Sequence, residues 1–239
     1  VVYLILVIAA MFTGYLDDAA KTPWGEYKKG LLDLLLAVLV AVNYLTYNPS
    51  TVEFMLFHTT VTLPAVVFAI LIVVLVWASI NVTNCADGVD GLSGTLTIIT
   101  LLTIYGIFKI KEDMGSISYL ILLFCVCILG YLWYNANPSR MLMGDAGSRA
   151  MGIFIAIAIL KTGSPVLYLL VAAVLILDGG LGLIKVALLR FLKIKKKKNT
   201  RTPLHDDTRK NMGWSGPQTV MRFAIIQIMI SVATLYLIA

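Results

Sequence analysis

The sequence predicts an all-α polytopic membrane protein with eight transmembrane helices, and three observations carry that expectation. Of 239 residues, 59% are hydrophobic and 13% charged, with mean hydropathy +0.90, too apolar for a domain solvated by water. Apolar runs approaching the roughly 20 residues that cross a bilayer as a helix recur along the whole chain. The basic residues gather in alternate gaps between those runs, as the positive-inside rule requires.

Residues 1–13 start without a charged leader and are followed by Asp17-Asp18 instead of a small-residue cleavage site. They read as a helix whose beginning is missing, not as a signal peptide. Further spans are expected at 31–46, 61–80, 92–109, 117–135, 150–162, 165–191 and 217–239. The gap 47–60, with Asn48-Pro49 and β-branched residues, is expected to hold a short hairpin. Inside 165–191 stands Asp178-Gly179-Gly180-Leu181-Gly182. Each glycine weakens a helix by about 1 kcal/mol relative to Ala, so this cluster marks either a break or a packing face of small residues. Cys125 and Cys127 fall on different helix faces and Cys85 lies in a polar segment, so neither a disulfide nor a cysteine metal site is expected. No internal repeat or separate soluble domain interrupts residues 1–239, which read as one membrane domain.

Eight spans divide the gaps into two sets. One holds fourteen Lys and Arg, namely Lys21, Lys28, Lys29, Arg140, Arg149 and nine from Arg190 to Lys210; the other holds Lys109, Lys111 and Lys161. The first set is therefore expected in the cytoplasm, with both chain ends outside. Asp17, Asp18, Asp87, Asp90, Asp145, Asp206 and Asp207 all fall in it. A transporter would instead place ionisable groups near the midplane, where only Asp178 is expected. The net charge of +6 reflects topology, and no nucleic-acid motif accompanies it. Lys195–Lys198 reads as a topogenic flank or an anchor on anionic lipid, with attraction of an anionic substrate as a further use. Asn81-Val82-Thr83 matches a glycosylation sequon but falls on the cytoplasmic side.

Four polar stretches on that face carry the chemistry. Asn81-Val-Thr-Asn84-Cys-Ala-Asp87-Gly88-Val-Asp90-Gly91 offers oxygen ligands on one short turn, suited to a hard cation or a hydroxyl-rich ligand; by itself it equally suits a helix N-cap with turn glycines. Asp17-Asp18-Ala-Ala-Lys21 pairs two acids that need a cation nearby. Met143-Gly144-Asp145-Ala-Gly147-Ser148 leads into a span, where backbone N–H groups can meet a phosphate and the acid a Mg²⁺ ion. Thr202-Pro203-Leu204-His205-Asp206-Asp207 adds a histidine, with Asp206 the neighbouring carboxylate that would orient it and keep it protonated.

In order, these motifs are D-D-x-x-K, N-x-x-N-x-x-D-G-x-D-G, M-G-D-x-G-S and T-P-L-H…G-W-S…R-F. From Gly14 to Phe223 the chain resembles the polyprenyl-phosphate N-acetylhexosamine-1-phosphate transferase superfamily, most of all the branch whose donor is UDP-MurNAc-pentapeptide. The resemblance implies a ten-helix fold of which this chain holds the last eight, with a bent ninth helix. It implies a Mg²⁺ cofactor, undecaprenyl phosphate as acceptor, and lipid I and UMP as products. The setting would be the cytoplasmic face of a bacterial plasma membrane, with the lipid bilayer and a second copy of the chain, as a homodimer, as the implied partners. Asp145 matches the Mg²⁺ ligand, Asp17 and Asp18 the catalytic acid pair, and Lys21 the base beside them. Asn84, Asp87 and Asp90 match substrate-binding positions, and His205 the first histidine of a catalytic cluster. Asp206 and Asp207 stand where two further histidines belong, Leu142 where an aromatic residue precedes M-G-D, and the family's P-T-M-G-G-like motif has no counterpart. Direct displacement and a covalent intermediate on Asp17 or Asp18 both fit the implied reaction. A transferase of N-acetylglucosamine 1-phosphate is the alternative activity.

Overall fold

A backbone in hydrocarbon must satisfy its N–H and C=O groups within its own segment, and each apolar run accordingly folds as helix. The computed structural model describes residues 1–22, 24–185 and 202–239. It contains α1 (Val2–Asp18), α2 (Glu26–Tyr47), α3 (Ala65–Ala86), α4 (Leu92–Ile110), α5 (Ser116–Asn135) and α6 (Gly144–Lys161). A broken α7 follows with arms Pro165–Val171 and Ala173–Lys185, then the short α8 (Leu204–Lys210) and α9 (Gly216–Ile238). Among the described residues, α2, α3, α4, α5 and α9 are long and apolar enough to cross a membrane, and α7 makes a sixth if its two bent arms count as one span. The other two differ for visible reasons: α1 has 17 residues, and α6 carries Asp145, Arg149 and Lys161. The far end of the seventh run and Lys195–Lys198 lie outside the described residues.

The innermost helix is α6, in which every residue from Ser148 to Leu160 is buried, with α1 and α3 packed against it. Gly152 permits that approach: a Cβ there would lie 2.6 Å from the Ile80 Cα and the Ser79 carbonyl oxygen. The Ser79 hydroxyl donates to the Gly152 carbonyl at 2.7 Å, the close small-residue contact by which helices associate in lipid. Outer helices turn apolar side chains outward, such as Leu35 and Val42 of α2 and Leu123 and Val126 of α5, all exposed.

At the acid-bearing end, helices run past their apolar stretches. The first helix continues to Asp18, α3 continues to Ala86, and α6 begins at Gly144. Asn81 and Asn84, expected in a loop, therefore lie on the last turns of α3. Helix continues there because neighbours satisfy its polar side chains: Asn81 donates to Asp33 Oδ2 at 3.3 Å, and Asn84 donates to Ser148 Oγ at 2.9 Å.

The bend in α7 is 75° and falls at Ala172, not at the glycine cluster. Gln227 of α9, fully buried, makes it possible. Its Oε1 accepts from the Val174 N–H at 2.9 Å, and its Nε2 donates to the Leu170 and Val171 carbonyls at 3.2 and 3.0 Å. Around Asp178 the chain instead makes a wide π turn (Ile176–Gly180). Gly179 presses there on α3, where a Cβ would fall 2.1 Å from the Val82 oxygen. Close packing thus describes Gly179, and a partner helix supplies what the break needs. The expected hairpin is present: β1 (Thr51–Phe54) pairs antiparallel with β2 (Thr59–Thr62), Thr51 opposite Thr62. It caps the end of the bundle away from the acids, where Lys111 reaches Glu53 and the Thr162 carbonyl.

Candidate active site

Backbone meets backbone where α1 reaches α6. A Cβ on Gly14 would lie 2.4 Å from the Asp145 carbonyl carbon, and one on Gly144, whose φ is 64°, would lie 2.4 Å from Asp18 Oδ2. This contact places the Asp18 carboxylate over the start of α6, where it accepts from the N–H groups of Asp145 and Ala146 at 3.2 and 3.1 Å. The glycine-framed helix start, expected to offer these N–H groups to a phosphate, gives them to Asp18, since a fixed carboxylate is stabilised by the positive end of a helix.

Asp17, 5% exposed, accepts from the Trp24 N–H at 2.8 Å through Oδ1 and pairs through Oδ2 with Lys29. The same Lys29 ammonium lies 3.0 Å from Asp145 Oδ2. Lys29 therefore takes the position expected of Lys21, which is exposed. Residue 29 lies on the first turns of α2, whose packing carries its side chain between α1 and α6. The second Asp145 oxygen accepts from Asn84 at 2.8 Å. Behind this group Arg149 and Asp33, 3% and 2% exposed, form an ion pair at 3.0 Å, with Arg149 Nη2 3.8 Å from Asp145 Oδ2. The sequence reading overlooked Asp33, an acid inside an apolar run and the available signal.

The segment between α3 and α4 closes a cavity of about 320 Å³ lined by Asn84, Asp87, Asp90, Leu142 and Asp145 among others. Its far wall is pinned by buried Asn135, which accepts from the Gly91 N–H and donates to the Met141 carbonyl, both at 2.7 Å. Asn137 donates to Asp90 at 3.3 Å. Leu142 is 79% exposed, so this wall offers an aliphatic surface. Burial raises the Asp87 pKa, the Ser93 hydroxyl partly opposes the shift, and the Asp145 and Asp90 charges add to it.

Ionised Asp87 is therefore less favourable in the folded state than in the unfolded chain, which costs stability at pH above its raised pKa. Asp87→Asn should be at least as stable as wild type at pH 7. That advantage should vanish as pH falls through the raised folded pKa toward the ordinary value of about 4. Thermal unfolding across pH 4–8 checks this; a variant less stable than wild type at pH 7 contradicts it.

His205 is 4% exposed, on the first turn of α8, and the carboxylate beside it is Asp178. Asp206 points elsewhere, 2.9 Å from Lys210, whose hydrogen bond holds its pKa below the usual value against some opposing burial. An i,i+4 partner on the same short helix captures Asp206, while α7 delivers Asp178. Asp178 thus meets His205 beside Gly88, at the acid-bearing end of the bundle. Asp207 Oδ1 accepts from Asn211 at 2.6 Å. The Trp214 and Arg222 side chains stack, the guanidinium carbon 4.2 Å from the ring centre.

The three acids expected to be catalytic, Asp17, Asp18 and Asp145, thus converge at the α1–α6 junction; of the residues expected to bind substrate, Asn84, Asp87 and Asp90 line the adjoining cavity and Lys21 does not, and His205 packs behind its loop. This is the architecture of a polytopic membrane protein with a charged reaction site at one end of its bundle. The model of glycosyl transferase family 4 matches residues 1–163. The chain is 41% identical to the phospho-N-acetylmuramoyl-pentapeptide-transferase of Treponema pallidum (strain Nichols) over 97% of its own length and 69% of that relative. It is 25% identical to the enzyme of the same name from Wolbachia sp. subsp. Brugia malayi (strain TRS) over 96% of this chain and 73% of that one. The chain belongs to glycosyl transferase family 4 and is a membrane enzyme of the phospho-N-acetylmuramoyl-pentapeptide transferase type.

Proposed function

We propose that this enzyme transfers phospho-MurNAc-pentapeptide from UDP-MurNAc-pentapeptide to undecaprenyl phosphate, giving lipid I and UMP. We place all eight long helices across a bacterial plasma membrane with the acid-bearing end in the cytoplasm. The distribution of basic residues supports this, as does the inner position of α6, which faces protein rather than lipid and tolerates its charges. The observation that carries the reaction is the convergence of Asp17 and Asp145 on one ammonium, that of Lys29.

Two carboxylates from separate helices turned on one cation are a donor set that fits Mg²⁺. Among the described residues no group of three His, Cys, Asp or Glu is assembled for a metal, which suits an ion that keeps waters and binds through one or two carboxylates plus substrate phosphates. Asp145, with Asp17 beside it, would hold Mg²⁺, which when bound neutralises the diphosphate charge. Asn84 fixes the Asp145 carboxylate, and Arg149 supports it from behind. Lys29 is placed to follow negative charge onto the phosphates. An oxygen of the acceptor phosphate forms a bond to the sugar-side phosphorus while the bond to UMP breaks, and UMP leaves with the electron pair. Phosphate monoesters have a second pKa of about 6, so the acceptor is largely dianionic at pH 7 and needs no base. Asp18 is engaged with α6 and Asp17 with Lys29, an arrangement that favours this single displacement over an acyl-phosphate. Asp87, Asp90 and Asn84 line the space for the nucleotide and sugar.

The test is labelled lipid formation by the purified protein with undecaprenyl phosphate and each UDP-sugar. UDP-MurNAc-pentapeptide should yield labelled lipid and UMP, lost with EDTA and restored by Mg²⁺. Labelled lipid from UDP-GlcNAc alone would replace this reading with N-acetylglucosamine 1-phosphate transfer.

A further inference from the structure

Asp178 is completely buried, and no step of the proposed transfer uses it. Both of its oxygens serve one residue. Oδ1 accepts from the His205 backbone N–H at 2.8 Å, and Oδ2 lies 2.8 Å from His205 Nδ1. An ionised carboxylate can only accept hydrogen bonds, so this pairing calls for a hydrogen on Nδ1 and leaves Nε2 as the ring atom open to another partner. Nε2 faces the loop that lines the cavity. A Cβ on Gly88 would lie 2.2 Å from it, so the ring fits only against a glycine, one residue from Asp87.

The carboxylate is itself held in place. The π turn widens α7 at Asp178, and Gly179 rests against the Val82 carbonyl on α3, the helix that leads into Asp87-Gly88. Such turns recur where a helix aims a functional side chain. The imidazole is thus clamped between α7 and the segment after α3.

We infer that Asp178 is a positioning residue for the transfer: it fixes the His205 ring in the tautomer with hydrogen on Nδ1, so that Nε2 is presented at Gly88 in the cavity wall. The catalytic consequence rests on the proposed transfer and on the catalytic place that the family resemblance implies for His205; the tautomer does not. In Asp178→Asn one oxygen can still accept from the backbone N–H. The amide NH₂ then faces Nδ1 and makes it an acceptor, moving the ring hydrogen to Nε2. The same logic explains the large rate loss when the aspartate of a serine-protease triad becomes asparagine.

The chain has two histidines, His58 and His205, so ¹⁵N-histidine NMR of the full chain in nanodiscs can separate them, with His205→Gln as the assignment control. Wild type should show His205 with hydrogen on Nδ1. Asp178→Asn should show it on Nε2, with kcat at least about 100-fold lower and donor KM changed by less than about threefold, as expected where positioning and not ground-state binding is lost. Asp178→Glu, which keeps two acceptor oxygens, should restore the wild-type tautomer and part of kcat. A wild-type ring protonated on Nε2 overturns the inference, and that spectrum needs no folded variant. A flipped tautomer in Asp178→Asn with unchanged kcat overturns the positioning role. Full activity in His205→Gln would likewise overturn the positioning role, because the ring that Asp178 holds would then serve no step of the transfer.

Discussion

Asp145→Asn is expected to lower turnover by about 1000-fold or more, the scale of losing a principal electrostatic stabiliser, while leaving the protein folded. The carboxylate faces Lys29 at 3.0 Å and Asn84 at 2.8 Å and is partly exposed. Lys29 keeps Asp17, Asn84 keeps Ser148, and Arg149 keeps Asp33, so no buried charge is stranded. Stability should change by less than about 1 kcal/mol, as for partly exposed ion pairs. What asparagine cannot do is supply the negative charge that balances a divalent ion. Binding of Mn²⁺, followed by electron paramagnetic resonance, should weaken together with lipid I synthesis. Near-normal turnover in this variant would sink the assignment of Asp145.

Asp33→Ala should have the largest effect on stability. Arg149 is almost fully buried beside α2 and α3, and Asp33 is its 3.0 Å partner. Removing one member of a buried pair leaves the other charge unpaired at a cost of about 3–5 kcal/mol. The freed guanidinium has one other acid within reach, Asp145 Oδ2 at 3.8 Å, so surviving activity should fall as that carboxylate is drawn away. The double variant Asp33→Leu with Arg149→Met should recover much of the stability, because it buries apolar groups in place of charges. Unfolding in detergent reports both results. A single variant as stable as wild type would show that water already reaches Arg149.

Much of the fold is local information. Each apolar run names a helix, Asn48-Pro49 with its β-branched neighbours names the hairpin, and the Ser215–Gln218 capping box that starts α9 is spelled by residues three apart. The ends were less legible, since α1, α3 and α6 extend into polar sequence whose partners lie on other helices. The bend of α7 was misplaced for the same reason: glycines announce that a helix can yield, but it yields where Gln227 of α9 supplies an amide.

By itself the sequence determined that the acids share one end of a membrane bundle, because span alternation and hydropathy place loops on sides without reference to neighbours. It also marked Asn84, Asp87 and Asp90 as one polar stretch, and all three line the cavity beside α3, whose other wall, from Leu142 to Asp145, is brought there by packing. Only the tertiary structure decided that Lys29 and not Lys21 joins Asp17 to Asp145, that Asp18 caps α6, and that His205 answers to Asp178, 27 residues away, instead of adjacent Asp206. Those choices depend on the rotation of each helix about its axis and on the depth at which glycines let backbones meet, quantities fixed jointly by all the packed surfaces and encoded in no single stretch.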